Sequence, residues 1–224
     1  MKTFTHKNFL LEEMETETVD GKRFYKTPNG NLPSITTVLS ILSRDAIKAW
    51  RKRVGETEAN KISTKASRRG TSVHKMCEEY LNNELNLKEF LPNDRETFNS
   101  LKGILDEHLD NIYAQEVPLW SSYLGVAGRV DCIAEWDGKL SVIDFKTSRK
   151  LKKKEYISNY FQQCAAYAVM WEERTGISIN KIVVVIAVDG EEPQIFEERR
   201  DNYINECVET IAQYRREQSG NYTS

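Results

Sequence analysis

Apolar residues along this chain recur with two different periods, and the switch between them divides it. From about residue 34 to 111 they follow helical spacing, whereas from Tyr113 to Thr147 they alternate as in half-buried strands. The stretch RFYKTPNGNLPSITTVL reads as a strand, an Asn29-Gly30 turn and a helix capped by Ser34. Asn-Gly supplies the positive φ of a tight turn, and a serine oxygen accepts from the first free amides of a helix. Helices are expected over 34–52, over 56–83 with a break or bend near Arg69-Gly70, and over 94–111. Gly125, Gly128 and Asp137-Gly138 punctuate the alternating stretch, so it reads as a meander of three strands.

Helical spacing returns from Glu155 to Arg174, and the continuously apolar run KIVVVIAVDG reads as a buried central strand. A short edge strand at Gln194 to Phe196 and a helix from Asp201 to Gln218 complete the chain. The class is α/β (α+β): a mixed sheet flanked by helices, in a single domain. Residues 1–112 form its mainly helical part and 113–224 its sheet core.

The hairpin around Asp137-Gly138 fixes a register. If those two residues are the centre of a two-residue turn, Trp136 faces Lys139, and counting back along both strands brings Asp131 opposite Asp144. Facing side chains lie on one surface with Cβ atoms about 5 Å apart, so two carboxylates there repel unless a cation sits between them. Lys146, two residues beyond Asp144, falls on the same surface. Two acids and a lysine suit a hard divalent ion, magnesium or manganese, and phosphodiester hydrolysis. The plainer alternative is an exposed hairpin with an ion pair. Val142, Ile143 and Phe145 weigh against it, because they make this a buried strand where polar groups are costly unless employed.

Composition adds three constraints. At 224 residues and 39% hydrophobic content the chain can bury a real core without staples. Its cysteines, Cys77, Cys132, Cys164 and Cys207, are widely spaced, so buried thiols are expected and no iron-sulfur cluster. No apolar run reaches a membrane span, and Glu12, Glu13, Glu15 and Glu17 argue against a leader peptide, so a soluble cytoplasmic protein is expected. The net charge of −2 conceals a basic run from Lys146 to Lys154.

The spacing of Asp131, Asp144 and Lys146, followed by Thr147-Ser148, resembles the PD-(D/E)XK nuclease superfamily and, within it, the RecB-type branch. The acid of the D-x-K element is Asp, and Val130 occupies the place of the family's proline. Two outlying elements strengthen the likeness: RRGTSVHKMCEE with His74, and FQQCAAY with Gln163 and Tyr167. The resemblance implies a restriction-endonuclease-like fold. It also implies metal ligation by Asp131, Asp144, His74, the Phe145 carbonyl and Glu116, with Lys146 assisting the nucleophile and Gln163 and Tyr167 completing the catalytic set.

Glu78 is a further acid on the helix of His74, weighed against a surface role, as Glu116 is against a solvent-facing strand position. Thr147, Ser148, Arg149, Lys150 and Arg69 are expected to contact substrate phosphates. The implied substrate is DNA, single-stranded with a free end, with replication or recombination proteins as partners and no membrane. A structure- or sequence-specific endonuclease, a catalytically silent DNA-binding module, and an anti-defence or DNA-modifying factor with another reaction are the competing classes. The Q-x-x-x-Y element favours the exonuclease branch, and a silent module has little reason to keep both aspartates, the lysine and the histidine together.

Overall fold

The structure, a computed structural model, describes residues 2–7 and 9–220. Three short antiparallel strands come first: β1 (Thr16–Val19), β2 (Lys22–Thr27) and β3 (Gly30–Pro33). The turn falls one residue earlier than Asn29-Gly30. Thr27 pairs with Gly30, so Pro28 and Asn29 are the central residues and Gly30, at φ +94°, begins β3. Proline pre-sets the φ of the first turn position, which outweighs the Asn-Gly preference.

Ser34 caps α1 (Ile35–Leu39) as expected, its Oγ accepting from the Thr37 amide at 3.1 Å. The helix expected to run on to 52 is instead divided into α1, a 3-10 turn over Ser40–Leu42, and α2 (Arg44–Val54). The hydroxyls of Ser40 and Ser43 donate back to the carbonyls of Thr37 and Ser40, at 2.7 and 3.4 Å. Local bonds of this kind compete with helix continuation.

α3 (Glu56–Leu81) corrects the opposite error, since it runs unbroken through Arg69-Gly70. Gly70 lies within the helix facing the sheet, where a Cβ would make an ordinary 3.7 Å contact with Thr147 Oγ1. α4 (Pro92–His108) starts with proline at its first turn, where the missing N–H does no harm.

The main sheet has the order β4-β5-β6-β7-β8, formed by β4 (Leu109–Ser121), β5 (Val126–Trp136), β6 (Lys139–Ser148), β7 (Lys181–Val188) and β8 (Gln194–Arg199). Only the β6–β7 pair is parallel, so the sheet is mixed. The crossover between those two strands carries α5 (Ser158–Thr175), and α6 (Ile204–Gly220) follows β8.

Strand alternation splits the interior into two layers. Ile143, Phe145, Val183 and Val185 pack with Val73, Met76, Tyr80, Phe98 and Leu101 of α3 and α4. Val142, Val184 and Ile186 pack with Phe161, Ala168 and Trp171 of α5 and with Ile211 of α6. β7 is therefore covered on both faces, which explains its unbroken apolar run. All four cysteines are free and buried. No helix among the described residues is long and apolar enough to cross a membrane.

Gly128 on β5 lies beneath the buried ring of Tyr167. A Cβ there would stand 2.7 Å from Tyr167 Cε1, 2.8 Å from its hydroxyl oxygen and 3.1 Å from Ile35 Cγ2. Gly128→Ala is therefore expected to destabilise the fold by about 1–3 kcal/mol through overpacking. Urea denaturation measures it, and an unchanged midpoint would mean that the ring is free to move aside.

Candidate active site

The register derived from the Asp137-Gly138 turn is the observed one: Trp136 pairs with Lys139, and the pairing continues to Cys132 with Ile143. On the other side of β5, Gln115 pairs with Cys132 and Val117 with Val130. Continuing both registers by one residue aligns Glu116, Asp131 and Asp144 in a single row across β4, β5 and β6. The paired residues of β5 and β6 end just before this row, although both strands run on. Two irregularities fill the gap. Glu116 takes φ +48°, an uncommon conformation for a residue with a side chain. The Asp131 carboxylate accepts from the Phe145 amide at 2.9 Å, standing in for a strand carbonyl.

The opening in the ladder lets groups from the helical layer meet groups from the sheet. His74, on α3, brings its Nδ1 to 3.5 Å from Asp131 Oδ2. One ligand atom each from His74, Glu116 and Asp131 lies within 4.8 Å of the others. An imidazole nitrogen and two carboxylate oxygens fit a divalent cation, and the carboxylates favour a hard one. Asp144, 1% exposed, stands at the end of the row. Burial pushes the Glu116 carboxyl up to about 8, helped by the nearby Asp131, Glu78 and Asp144 and opposed by Arg129.

Lys146 answers the charge of Asp144. Its Nζ donates to Asp144 Oδ1 at 2.9 Å and lies 2.7 Å from Oδ2, to which the angles give no hydrogen bond. Burial would lower the lysine, but Asp144 and Asp131 outweigh it and hold it above the ordinary lysine range. Asp144 moves up for the opposite reason: burial, joined by the charge of Asp131, prevails over the pull of Lys146. The pairing with Asp144 favours the ammonium form of Lys146, which donates to Asp144 and Gln163.

α5 supplies the wall facing these groups. Gln163 Oε1 accepts from Lys146 Nζ at 3.4 Å. Tyr167, one turn on, is 2% exposed and packs on Gly128, so it touches Gln163 and the strand rather than open solvent. Gln162 points the other way and accepts from Thr210 Oγ1 of α6 at 2.9 Å, which fixes the rotation of α5.

The residues expected to meet phosphate divide into two groups. Arg149 and Lys150 are exposed, and Thr147 is half-buried beside Gly70. Ser148 is buried, its Oγ donating to the Lys150 carbonyl at 2.6 Å and accepting from the Lys150 amide. Arg69 is paired with Asp189 in the β7–β8 turn, whose amide donates to the Ser148 carbonyl at 3.0 Å. The sequence reading overlooked Tyr160, whose ring centroid lies 5.2 Å from Lys146 Nζ. Its signal was the helical spacing to Gln163 and Tyr167.

Clustered acids and a lysine on a mixed sheet, with a histidine brought in by a helix, define a class of phosphodiester-cleaving site. The chain belongs to the PD-(D/E)XK nuclease superfamily, whose sequence profile matches residues 47–221. It is 29% identical over 175 residues to human mitochondrial genome maintenance exonuclease 1, covering 71% of this chain and 50% of the relative. The protein of the same name from Xenopus tropicalis is 28% identical over 173 residues, covering 71% and 49%. The chain thus spans about half the length of the curated relatives it matches. A solved structure of a candidate exonuclease from Eubacterium rectale overlays with a TM-score of 0.45 at 15% identity, covering 68% of each chain.

Glu116 gives the site a pH signature. Its carboxyl is raised from 4.5 to about 8, so the fold favours the neutral form. That contribution to stability is complete below 4.5 and is lost as pH rises through about 8. With divalent ions chelated, Glu116→Gln is expected to melt above the parent by a margin that grows over this range and then levels off. A margin independent of pH would show that the carboxyl is ordinarily ionised in the fold.

Proposed function

We propose that this chain is a metal-dependent deoxyribonuclease of exonuclease type that degrades single-stranded DNA from a free end. The observation that carries the reading is the meeting of His74, from the helical layer, with Asp131 across an opening in the strand ladder. A site built from two layers is bounded on two sides, and a strand reaches it most readily by threading an end. Duplex DNA is wider and stiffer, so it passes poorly through such an opening. The curated relatives are named as exonucleases, which supports attack from an end.

Asp131, Glu116, His74, Asp144 and the Phe145 carbonyl are the groups that would hold magnesium or manganese, one ion or two. When bound, such an ion supplies the charge that activates water and stabilises the leaving oxygen. Lys146, held as an ammonium, orients the attacking water and offsets charge on the phosphate. Gln163 keeps the ammonium facing the row of acids, and Tyr167 keeps Gln163 in place. Thr147, Arg149 and Lys150 lie just beyond β6 and are the substrate contacts best placed to follow a phosphate backbone. Ser148 and Arg69 contribute by holding that segment in shape. The whole chain works as one domain, in replication, recombination or genome processing.

The functional test compares a linear single-stranded oligonucleotide, the same sequence circularised, and a blunt hairpin duplex, each with magnesium or manganese. The linear strand is expected to be digested and the other two spared, with all cutting stopped by EDTA. Rapid cutting of the circle would make the protein an endonuclease and overturn the threading reading.

Lys146→Ala is expected to abolish cleavage, by about a hundredfold or more, while gel-shift binding of the same oligonucleotide is retained. Turnover near that of the parent would return Lys146 to a purely structural ion pair.

A further inference from the structure

We propose that Tyr160 is a positioning residue for Lys146, an aromatic wall that fixes the ammonium on the side its oxygen partners leave open. The inference rests on the role given to Lys146 above. A lysine is a compact charge on a flexible four-carbon stem, so two acceptors alone leave it several rotamers. Here Nζ has Asp144 Oδ1 at 2.9 Å, Gln163 Oε1 at 3.4 Å and the ring centroid of Tyr160 at 5.2 Å. The last distance is within the range over which the electron-rich face of an aromatic ring attracts a cation.

The ring is itself held. Tyr160 is half-buried against the α5 side of the core, and its amide donates to the Ile157 carbonyl at 2.9 Å. The Gln162–Thr210 bond fixes the rotation of α5 from the far side. Tyr160 and Gln163 are three residues apart on that helix, so one rotation sets both walls of the lysine pocket. Because the ring interacts with Lys146, its contribution falls on turnover rather than on substrate affinity.

The experiment measures kcat and KM of Tyr160→Leu, Tyr160→Phe and Lys146→Ala on a linear single-stranded oligonucleotide with magnesium, beside their melting temperatures. The leucine variant is expected to lose about tenfold in kcat with KM within about twofold, and the phenylalanine variant, which keeps the ring, to recover most of kcat. Should leucine lower the melting temperature markedly, Tyr160→Met takes its place with the same expected result. A raised KM at unchanged kcat would make Tyr160 a base-stacking residue and overturn the inference. So would loss of kcat in the phenylalanine variant equal to that in leucine. An inactive Lys146→Ala beside a fully active Tyr160→Leu removes this inference alone, whereas an active Lys146→Ala removes the functional reading beneath it.

Discussion

Three carboxylates in one row of a sheet repel one another, and much of the surrounding architecture is arranged around that repulsion. Asp131 spends part of its charge on the Phe145 amide. Asp144 is buried and held by Lys146. Glu116, with neither partner, is pushed towards its neutral form. The same row coincides with a break in the ladder between β5 and β6, a lysine held on Asp144, and a left-handed residue in β4. At this row the ladder is open, and His74 reaches Asp131 from the opposite layer.

The hairpin was legible because a single turn sets everything downstream of it. Asp137-Gly138 determines which residues face one another, and strand periodicity carries that register to Asp131, Asp144 and Lys146 without reference to any other part of the fold. Glu116 was harder to place. β4 contains register shifts between Asp110 and Ala114, and Glu116 itself takes a positive φ, so plain alternation along the strand does not fix its face. The misplaced helix limits have a related origin. Glycine at position 70 weakens a helix locally, and only the packing of α3 on the sheet carries the helix through it. Ser40 and Ser43 could be read as ordinary helix residues because their competing hydrogen bonds depend on local geometry.

Tyr160 illustrates a different limit. A tyrosine at helical spacing from a glutamine is ordinarily packing, and no pattern along the chain distinguishes a ring facing aliphatic neighbours from one facing an ammonium. That distinction arises from the parallel β6–β7 crossover, which lays α5 across the same face of the sheet as Asp144 and Lys146. The helix is thus both a core element, through Phe161 and Trp171, and the side of a polar pocket, through Tyr160 and Gln163. Loosening the first would blur the second, since they share a single rotation about the helix axis.

Two of the buried thiols flank this site in sequence: Cys77 lies one turn after His74, and Cys132 directly follows Asp131. Burial, joined by the negative charge of Asp131 and Glu116, pushes both thiols above the ordinary range. The reactive species is the thiolate, so such groups are poor nucleophiles while the protein is closed. They become reactive only when α3 lifts from the sheet or the chain opens further. Their rate of alkylation, followed at these two positions apart from Cys164 and Cys207, therefore reports opening of the helical layer without substrate or metal.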